Sequence, residues 1–262
     1  RSIDECKLTV PLLEDKGGRF EQKQDETVVD RQSVGVLKSL QVVGVNGDDW
    51  EDVIVVGEWM PVQLFLNQQG TFRNKTKEIF PQELSGLWNK VHTEDLNSDG
   101  VPDFILLNTG ENSRLRANRS EPLTMYINDF DQNGSVDPIL CLYEEGRLVP
   151  AVMLDDLIKQ LPILKKSNIK FAEYSQRSID QLFSEEQLEA SMKLEVNTLS
   201  NIVLLSDGEA GYKVQELPWK AQLSSYYAVA TADLNHDGHM DVILGGNQSK
   251  VKPELGPYRA SY

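Results

Sequence analysis

The stretch Asp95-Leu96-Asn97-Ser98-Asp99-Gly100-Val101-Pro102-Asp103 places side-chain oxygens at its first, third, fifth and ninth positions and a glycine at its sixth. The pattern recurs without gaps as Asp129-Phe130-Asp131-Gln132-Asn133-Gly134-Ser135-Val136-Asp137 and as Asp233-Leu234-Asn235-His236-Asp237-Gly238-His239-Met240-Asp241. Calcium takes about six to eight hard oxygen ligands in a flexible shell. A chain that curls tightly brings positions 1, 3, 5 and 9 toward one point. Position 7, held by Val101, Ser135 and His239, would add a main-chain carbonyl. The glycine at position 6 allows the positive φ that such a curl demands. The expected ligand sets are therefore Asp95, Asn97, Asp99, Val101 and Asp103; Asp129, Asp131, Asn133, Ser135 and Asp137; and Asp233, Asn235, Asp237, His239 and Asp241. Acidic turns without a cation are the rival reading, but clustered carboxylates repel one another unless a positive charge sits among them.

A calcium loop between helices is a second rival. It requires a bidentate Glu at position 12. Here that position holds Leu106, Leu140 and Leu244, and the residues after position 9 are apolar runs of strand type. A fourth, eroded copy spans Gly44 to Asp52. It keeps Asn46, Asp48 and Asp52 but has lost the first Asp and the central Gly, so the same turn is expected with weak or absent metal.

Around these loops the texture is β. Short apolar or alternating runs at 34–45, 52–57, 62–67, 103–108, 123–127, 138–143, 202–205, 227–232 and 241–245 are punctuated by Gly, Asn, Asp and Pro. Residues 152–195 break the pattern. Leu154, Leu157, Ile158 and Leu161, and then Ile179, Leu182, Phe183, Leu188 and Met192, recur at helical spacing. Ser184 with Gln187 forms a helix-start box, and Pro162 should end the first helix. Four segments are expected: a polar part at 1–33 with a short strand near Leu8–Leu13, β repeats over 34–151, a helical insertion at 152–195 and further β repeats over 196–262.

Composition sets outer limits. A formal net charge of -15 argues against a nucleic-acid partner, because little here would neutralise phosphates. No apolar run approaches the roughly 20 residues of a membrane-crossing helix. Cys6 and Cys141 stand in no metal spacing, and whether they are oxidised is left open. His92, His236 and His239 form no zinc-type cluster. Trp50, Trp59, Trp88 and Trp219 suit packing between sheets better than sugar stacking. Asn74, Asn118 and Asn247 begin glycosylation sequons, relevant only in a eukaryotic secretory pathway.

The acidic loops, the Gly57-Glu58-Trp59-Met60-Pro61 lead into Val62–Asn67, and the hairpins at Gly70-Thr71-Phe72 and Gly211-Tyr212 resemble the FG-GAP/VCBS repeats of integrin-type β-propellers. The helical segment and the stretch at 251–256 are similar to bacterial VCBS-repeat surface proteins of the CRTAC/ASPIC-UnbV-like group. The resemblance covers about residues 34–262 and is weakest at 44–52. It implies an all-β propeller, with calcium as a structural staple in each of the three complete acidic loops, about three sites in all. The loops begin at 44, 95, 129 and 233. That spacing suggests about four to five blades, where propellers close with typically four to eight, so the ring is expected to continue beyond this chain. The implied function is non-catalytic recognition of a protein or a glycan, in an extracellular, cell-surface or periplasmic setting. The alternatives are a propeller-based polysaccharide lyase or hydrolase, which would need a carboxylate pair or a His/Tyr/Arg group converging from distant positions, and a structural scaffold in a cell-envelope complex.

Overall fold

The computed structural model describes residues 13–17, 19–22, 35–167, 171–175, 177–208, 211–248 and 258–259. Most of the polar segment at 1–33, the stretch at 251–256 and Cys6 lie outside them. The chain divides into two compact units: Arg1–Ser113 with Leu199–Tyr262, and Arg114–Thr198.

The first unit begins with a hairpin of β1 (Leu13–Asp15) and β2 (Phe20–Gln22). Its first full sheet is an antiparallel meander of β3 (Val36–Val43), β4 (Asp52–Pro61), β5 (Gln63–Gln68) and β6 (Thr71–Asn74), with β7 (Ser85–Leu87) added to the far half of β4 and the short helix α1 (Thr76–Ile79) between β6 and β7. A two-residue turn joins β5 to β6, with Gln69 and Gly70 both at positive φ, as right-twisted hairpins prefer. Gly57 sits where β3 and β4 cross closely. A Cβ there would lie 2.1 Å from the Val36 carbonyl oxygen, so no other residue fits without displacing backbone.

The second sheet runs β8 (Lys90–Glu94), β9 (Asp103–Leu107), β14 (Ile202–Ser206) and β15 (Tyr212–Glu216). Every residue of β9 is buried. Successive side chains of a strand point to opposite faces, and here both faces are covered, which is why Phe104-Ile105-Leu106-Leu107 is apolar throughout. Phe104 and Leu106 pack with Ile54, Leu64 and Leu204 in the core shared with the first sheet. A ring cluster tightens this layer, with Phe104 5.2 Å from Tyr212 and Phe80 6.2 Å from Phe104. Ile105, Leu107 and Val203 face the other way, against Tyr226, Val229 and Leu244. Val229 and Leu244 belong to a two-stranded sheet of β16 (Ala228–Ala232) and β17 (Asp241–Gly245). Sheets thus follow one another face to face within this unit.

Between β9 and β14 the chain leaves to build the whole second unit. Its sheet holds β10 (Leu123–Asn128), β11 (Asp137–Glu144), β12 (Arg147–Pro150) and β13 (Met192–Val196) in the order β12-β11-β10-β13. The short interval between the loops at 95 and 129 is thereby explained. It does not reflect a blade short of strands, because the second sheet is interrupted after two strands and completed after the insertion. The second unit's sheet also departs from the meander, since β13 joins beside β10 instead of following β12.

The helical residues lie between β12 and β13. They form α2 (Leu154–Gln160), a 3-10 turn at Pro162–Ser167, α3 (Phe171–Tyr174), a second 3-10 turn at Ile179–Gln181 and α4 (Glu185–Glu189). Their apolar stripe of Leu157, Leu161, Ile179 and Phe183 packs on Tyr126, Phe130, Ile139 and Cys141. Pro162 stands just past the end of α2, and Ser184 caps α4 by accepting the Gln187 N–H. Helix stops earlier than the spacing of Leu188 and Met192 predicts. Met192–Val196 alternates with period two and pairs as strand with β10, Leu123 opposite Val196. Among the described residues the chain is an all-β, propeller-like fold: three sheets of four or five strands and three two-stranded ones, with most of the short helices in the second unit and only Thr76–Ile79 and a 3-10 turn at Trp219–Gln222 in the first.

Candidate metal centres

Four acidic loops join β3 to β4, β8 to β9, β10 to β11 and β16 to β17. They share one backbone form. Position 6 has positive φ, at Gly100, Gly134 and Gly238, and at Asp49 in the eroded copy. Position 4 does too, at Ser98, Gln132, His236 and Gly47. Residue preference flags only the glycines, so the second left-handed residue escaped sequence reading.

The side chains of the motif first serve the loop itself. In each complete copy the first Asp accepts two main-chain N–H groups. Asp95 takes those of Asp99 and Gly100 at 3.1 and 2.9 Å. Asp129 takes those of Asn133 and Gly134 at 2.9 and 2.8 Å, and Asp233 those of Asp237 and Gly238 at 3.1 and 3.0 Å. Position 5 accepts the N–H of position 7, from Val101 to Asp99 at 2.8 Å, Ser135 to Asn133 at 2.7 Å and His239 to Asp237 at 2.9 Å. These bonds hold the Asp99 and Asp237 carboxyls below the usual carboxylate range. At position 3, Asn97 and Asn235 accept the N–H of position 5, at 3.0 and 2.9 Å. The eroded loop keeps this last bond, Asp48 to Asn46 at 3.2 Å, and with Gly44 at position 1 it lacks the first pair.

Position 9 has a role that sequence reading missed. Asp103 accepts the Leu96 N–H with one oxygen and the Ser206 N–H with the other, both at 2.7 Å. Asp52 does the same with Val45 at 2.9 Å and Asn67 at 2.8 Å. Ser206 is the last residue, and Asn67 the last but one, of the third strand of its sheet. The carboxylate therefore ties the loop to the strand that packs beside it, which accounts for Asp52 surviving in a loop that has lost other ligands.

The loop in the second unit differs. Its third strand, β12, is short and pairs with β11 only from Cys141 to Glu144, so it stops before reaching Asp137. Asp137 is 6% exposed, and its Oδ2 has no hydrogen-bond partner. Burial pushes its carboxyl up; the Phe130 N–H opposes this, and the charges of Asp131 and Asp129 add to it. Here position 3 is Asp131 instead of Asn. One oxygen from each of Asp129, Asp131 and Asp137 lies within 4.8 Å of the others. A buried unpaired carboxylate oxygen is costly, and a cation among three converging carboxylates would remove that cost. This cluster could hold a metal ion. In the first and third loops, positions 1, 5 and 9 supply three carboxylates and position 3 an amide, whereas in the second loop the amide, Asn133, stands at position 5.

The remaining candidates are placed as follows. Trp88 is fully buried and donates from Nε1 to the Leu84 carbonyl at 3.2 Å, while Trp50 and Trp219 are exposed. His92 Nε2 meets Thr231 Oγ1 at 3.0 Å, and that hydroxyl donates to Glu94. Burial lowers the His92 pKa, Lys90 adds to the lowering, and Glu94 opposes it. Cys141 is a core thiol pushed up to about 12 by burial.

Antiparallel sheets, four of which have an acidic loop joining two of their strands, define a repeat-built, propeller-like β-protein. Within that class, residues 45–106 match the FG-GAP-like repeat. The match begins inside the eroded loop, spans the rest of the first sheet and ends in β9, just before the chain departs for the second unit. No curated protein matches the chain. No helix among the described residues is long and apolar enough to cross a membrane.

Proposed function

We propose that the chain is a calcium-stabilised, non-catalytic propeller module that recognises a protein or a glycan outside the cytoplasm. The observation that carries the calcium reading is the buried, unpartnered Oδ2 of Asp137 beside Asp129 and Asp131. The side-chain donors of all three loops are carboxylate and amide oxygens, with no thiolate in the motif. Such a set favours a hard cation over zinc or copper. Loops that bend through several left-handed residues suit the irregular shell of calcium better than the strict octahedron of magnesium. The metal would link strand to strand and neutralise the carboxylates, leaving sheet faces and loops for recognition. FG-GAP repeats typically occur in extracellular recognition modules, and extracellular modules work at calcium levels that saturate weak sites.

Titration calorimetry of the EGTA-treated chain with calcium tests the metal. Saturable binding that Asp129→Ala or Asp131→Ala abolishes supports it; no heat and an unchanged melting temperature would sink it. Recognition is tested with the calcium-loaded protein on a glycan array. Release of new reducing ends from a polysaccharide would overturn the non-catalytic part.

A further inference from the structure

The link from Ser113 to β10 carries three of the chain's ten arginines, Arg114, Arg116 and Arg119, within six residues. The three belong to the second unit, and Glu121 is the one acid between Asn112 and Asn128. In a chain of formal net charge -15 this is a local reversal of sign. Burial alternates along the segment. Leu115 and Ala117 are half-buried, while Arg114, Arg116, Asn118 and Arg119 are exposed. An extended run sends successive side chains to opposite sides, so Arg114, Arg116 and Asn118 stand in one outward row. The row is held by its own bonds. Arg114 Nη2 donates to the Ala151 carbonyl, just past β12, at 3.0 Å, and Arg116 Nη1 donates to the Leu115 carbonyl at 2.7 Å. A guanidinium carries five N–H donors, so a bond to a main-chain carbonyl orients it without exhausting it. Asn118 Oδ1 accepts the Ser120 N–H, the Ser120 hydroxyl and the Glu121 N–H at 2.9, 2.7 and 2.9 Å. The Asn118 N–H meets the Glu121 carbonyl at 3.1 Å and closes the turn. With its oxygen taken three times, the Asn118 side chain has its Nδ2 hydrogens to offer, so the outward row is made of donors.

We propose that this strap of the second unit binds a short acidic glycan, one whose sugar units bear carboxylate or sulfate groups. The inference rests on the glycan branch of the recognition reading above and narrows it to acidic sugars. Arginine presents a planar fork that takes an oxyanion through two parallel bonds, which a lysine cannot do. Between the arginines, Asn118 Nδ2 would donate to a sugar hydroxyl, which a row of donors alone can receive as an acceptor. An acidic peptide fits less well, because its own main-chain N–H groups would meet donors. A nucleic acid fits less well too, because its densely spaced phosphates would run onto the acidic surface around the strap. The same repulsion limits the length of the ligand. Arg114 to Arg119 spans at most about 17 Å, so affinity should stop rising once the sugar outgrows it.

The test uses the intact calcium-loaded chain, produced in bacteria so that Asn118 carries no sugar of its own. Calorimetry is run with galacturonate oligomers of increasing length, dextran sulfate, neutral dextran and poly-glutamate. Saturable binding of galacturonate or dextran sulfate is expected, with neutral dextran silent and affinity levelling off with oligomer length. The double variant Arg116→Gln with Arg119→Gln leaves the Arg114 bond to Ala151 in place. It should bind at least about tenfold more weakly, as for loss of hydrogen bonds to a charged group, with an unchanged melting temperature. Arg116→Lys keeps the charge and loses the fork, and should also weaken binding. If acidic sugars bind the double variant as tightly as the original, or if neutral dextran alone binds, the strap is overturned and the glycan reading stands. If no sugar binds, the glycan branch falls with it. Affinity that keeps rising with oligomer length, or poly-glutamate binding more tightly than the sugars, also overturns the proposal, the latter assigning the strap to an acidic protein.

Discussion

Replacing Asp137 by Asn should raise the stability of the metal-free second unit and abolish its response to calcium. The carboxylate is buried, one oxygen lacks a donor, and two further carboxylates lie within 4.8 Å. An unsatisfied buried acceptor costs about 1–3 kcal/mol. An amide of the same shape carries no charge and can donate toward Asp129 or Asp131. For a unit of this size each kcal/mol moves the melting temperature by roughly 4–8 °C, so the variant should melt at least about 4 °C higher in EGTA. With calcium at about a hundredfold over its dissociation constant, the original protein gains about 2.7 kcal/mol and the variant little. The assay must isolate the second unit. All four tryptophans lie in the first unit, so their fluorescence misses it. Cys141 sits in the second unit's core, and its reaction with a thiol reagent in a Cys6→Ser background reports the opening of that core alone. A variant that opens at lower temperature than the original in EGTA, yet keeps the full calcium shift, would refute the reasoning.

Other outcomes follow from the same geometry. Gly134→Ala forces a Cβ onto a residue at φ 85° and should cost about 1–2 kcal/mol in calcium, read as a lower melting temperature and weaker calcium binding in calorimetry. Ser184→Ala removes the acceptor for the Gln187 N–H and should cost about 1 kcal/mol, visible as faster Cys141 labelling with no change in tryptophan fluorescence. Leu157→Ala opens a cavity between α2 and the second unit's sheet and should cost about 2–5 kcal/mol. His92 has a folded pKa below its unfolded value of about 6.5. Its neutral form therefore contributes stability above that pH, and the contribution is lost as pH falls from there toward the folded value. Urea midpoints at pH 7.5 and 5.5 should drop less for His92→Gln, which keeps a donor for Thr231, than for the original protein.

Much of the fold was legible because its signals are local. Strand runs, turn glycines and the helix-start box at Ser184 each reside in a few consecutive residues, and the structure has strands, turns and a capped helix there. The first Asp and sixth Gly of each loop were likewise readable, since their partners lie within the same nine residues. The split of the second sheet was not, because it rests on Leu106 facing Ile202 and nothing in either run names the other. The tether from Asp103 to Ser206 was hidden for the same reason. The unusual character of Asp137 arises from a strand that ends early, a fact of tertiary pairing. The left-handed Ser98, Gln132 and His236 were obscure because loop bonding overrides their intrinsic preference.

The interrupted second sheet also has a consequence for how the protein is made. β9 emerges from the ribosome well before its partner β14, with the entire second unit between them. Closing so long a loop is slow when the intervening chain is unstructured. Gly110 donates to the Leu199 carbonyl at 2.9 Å, and Ser200 donates to Glu111 at 2.6 Å, so the two points where the chain leaves and returns are neighbours. A second unit that folds early would deliver β14 beside β9 as if across a short turn. If the Asp129 loop takes up calcium during that step, the ion would set the pace at which a sheet containing none of its ligands is completed.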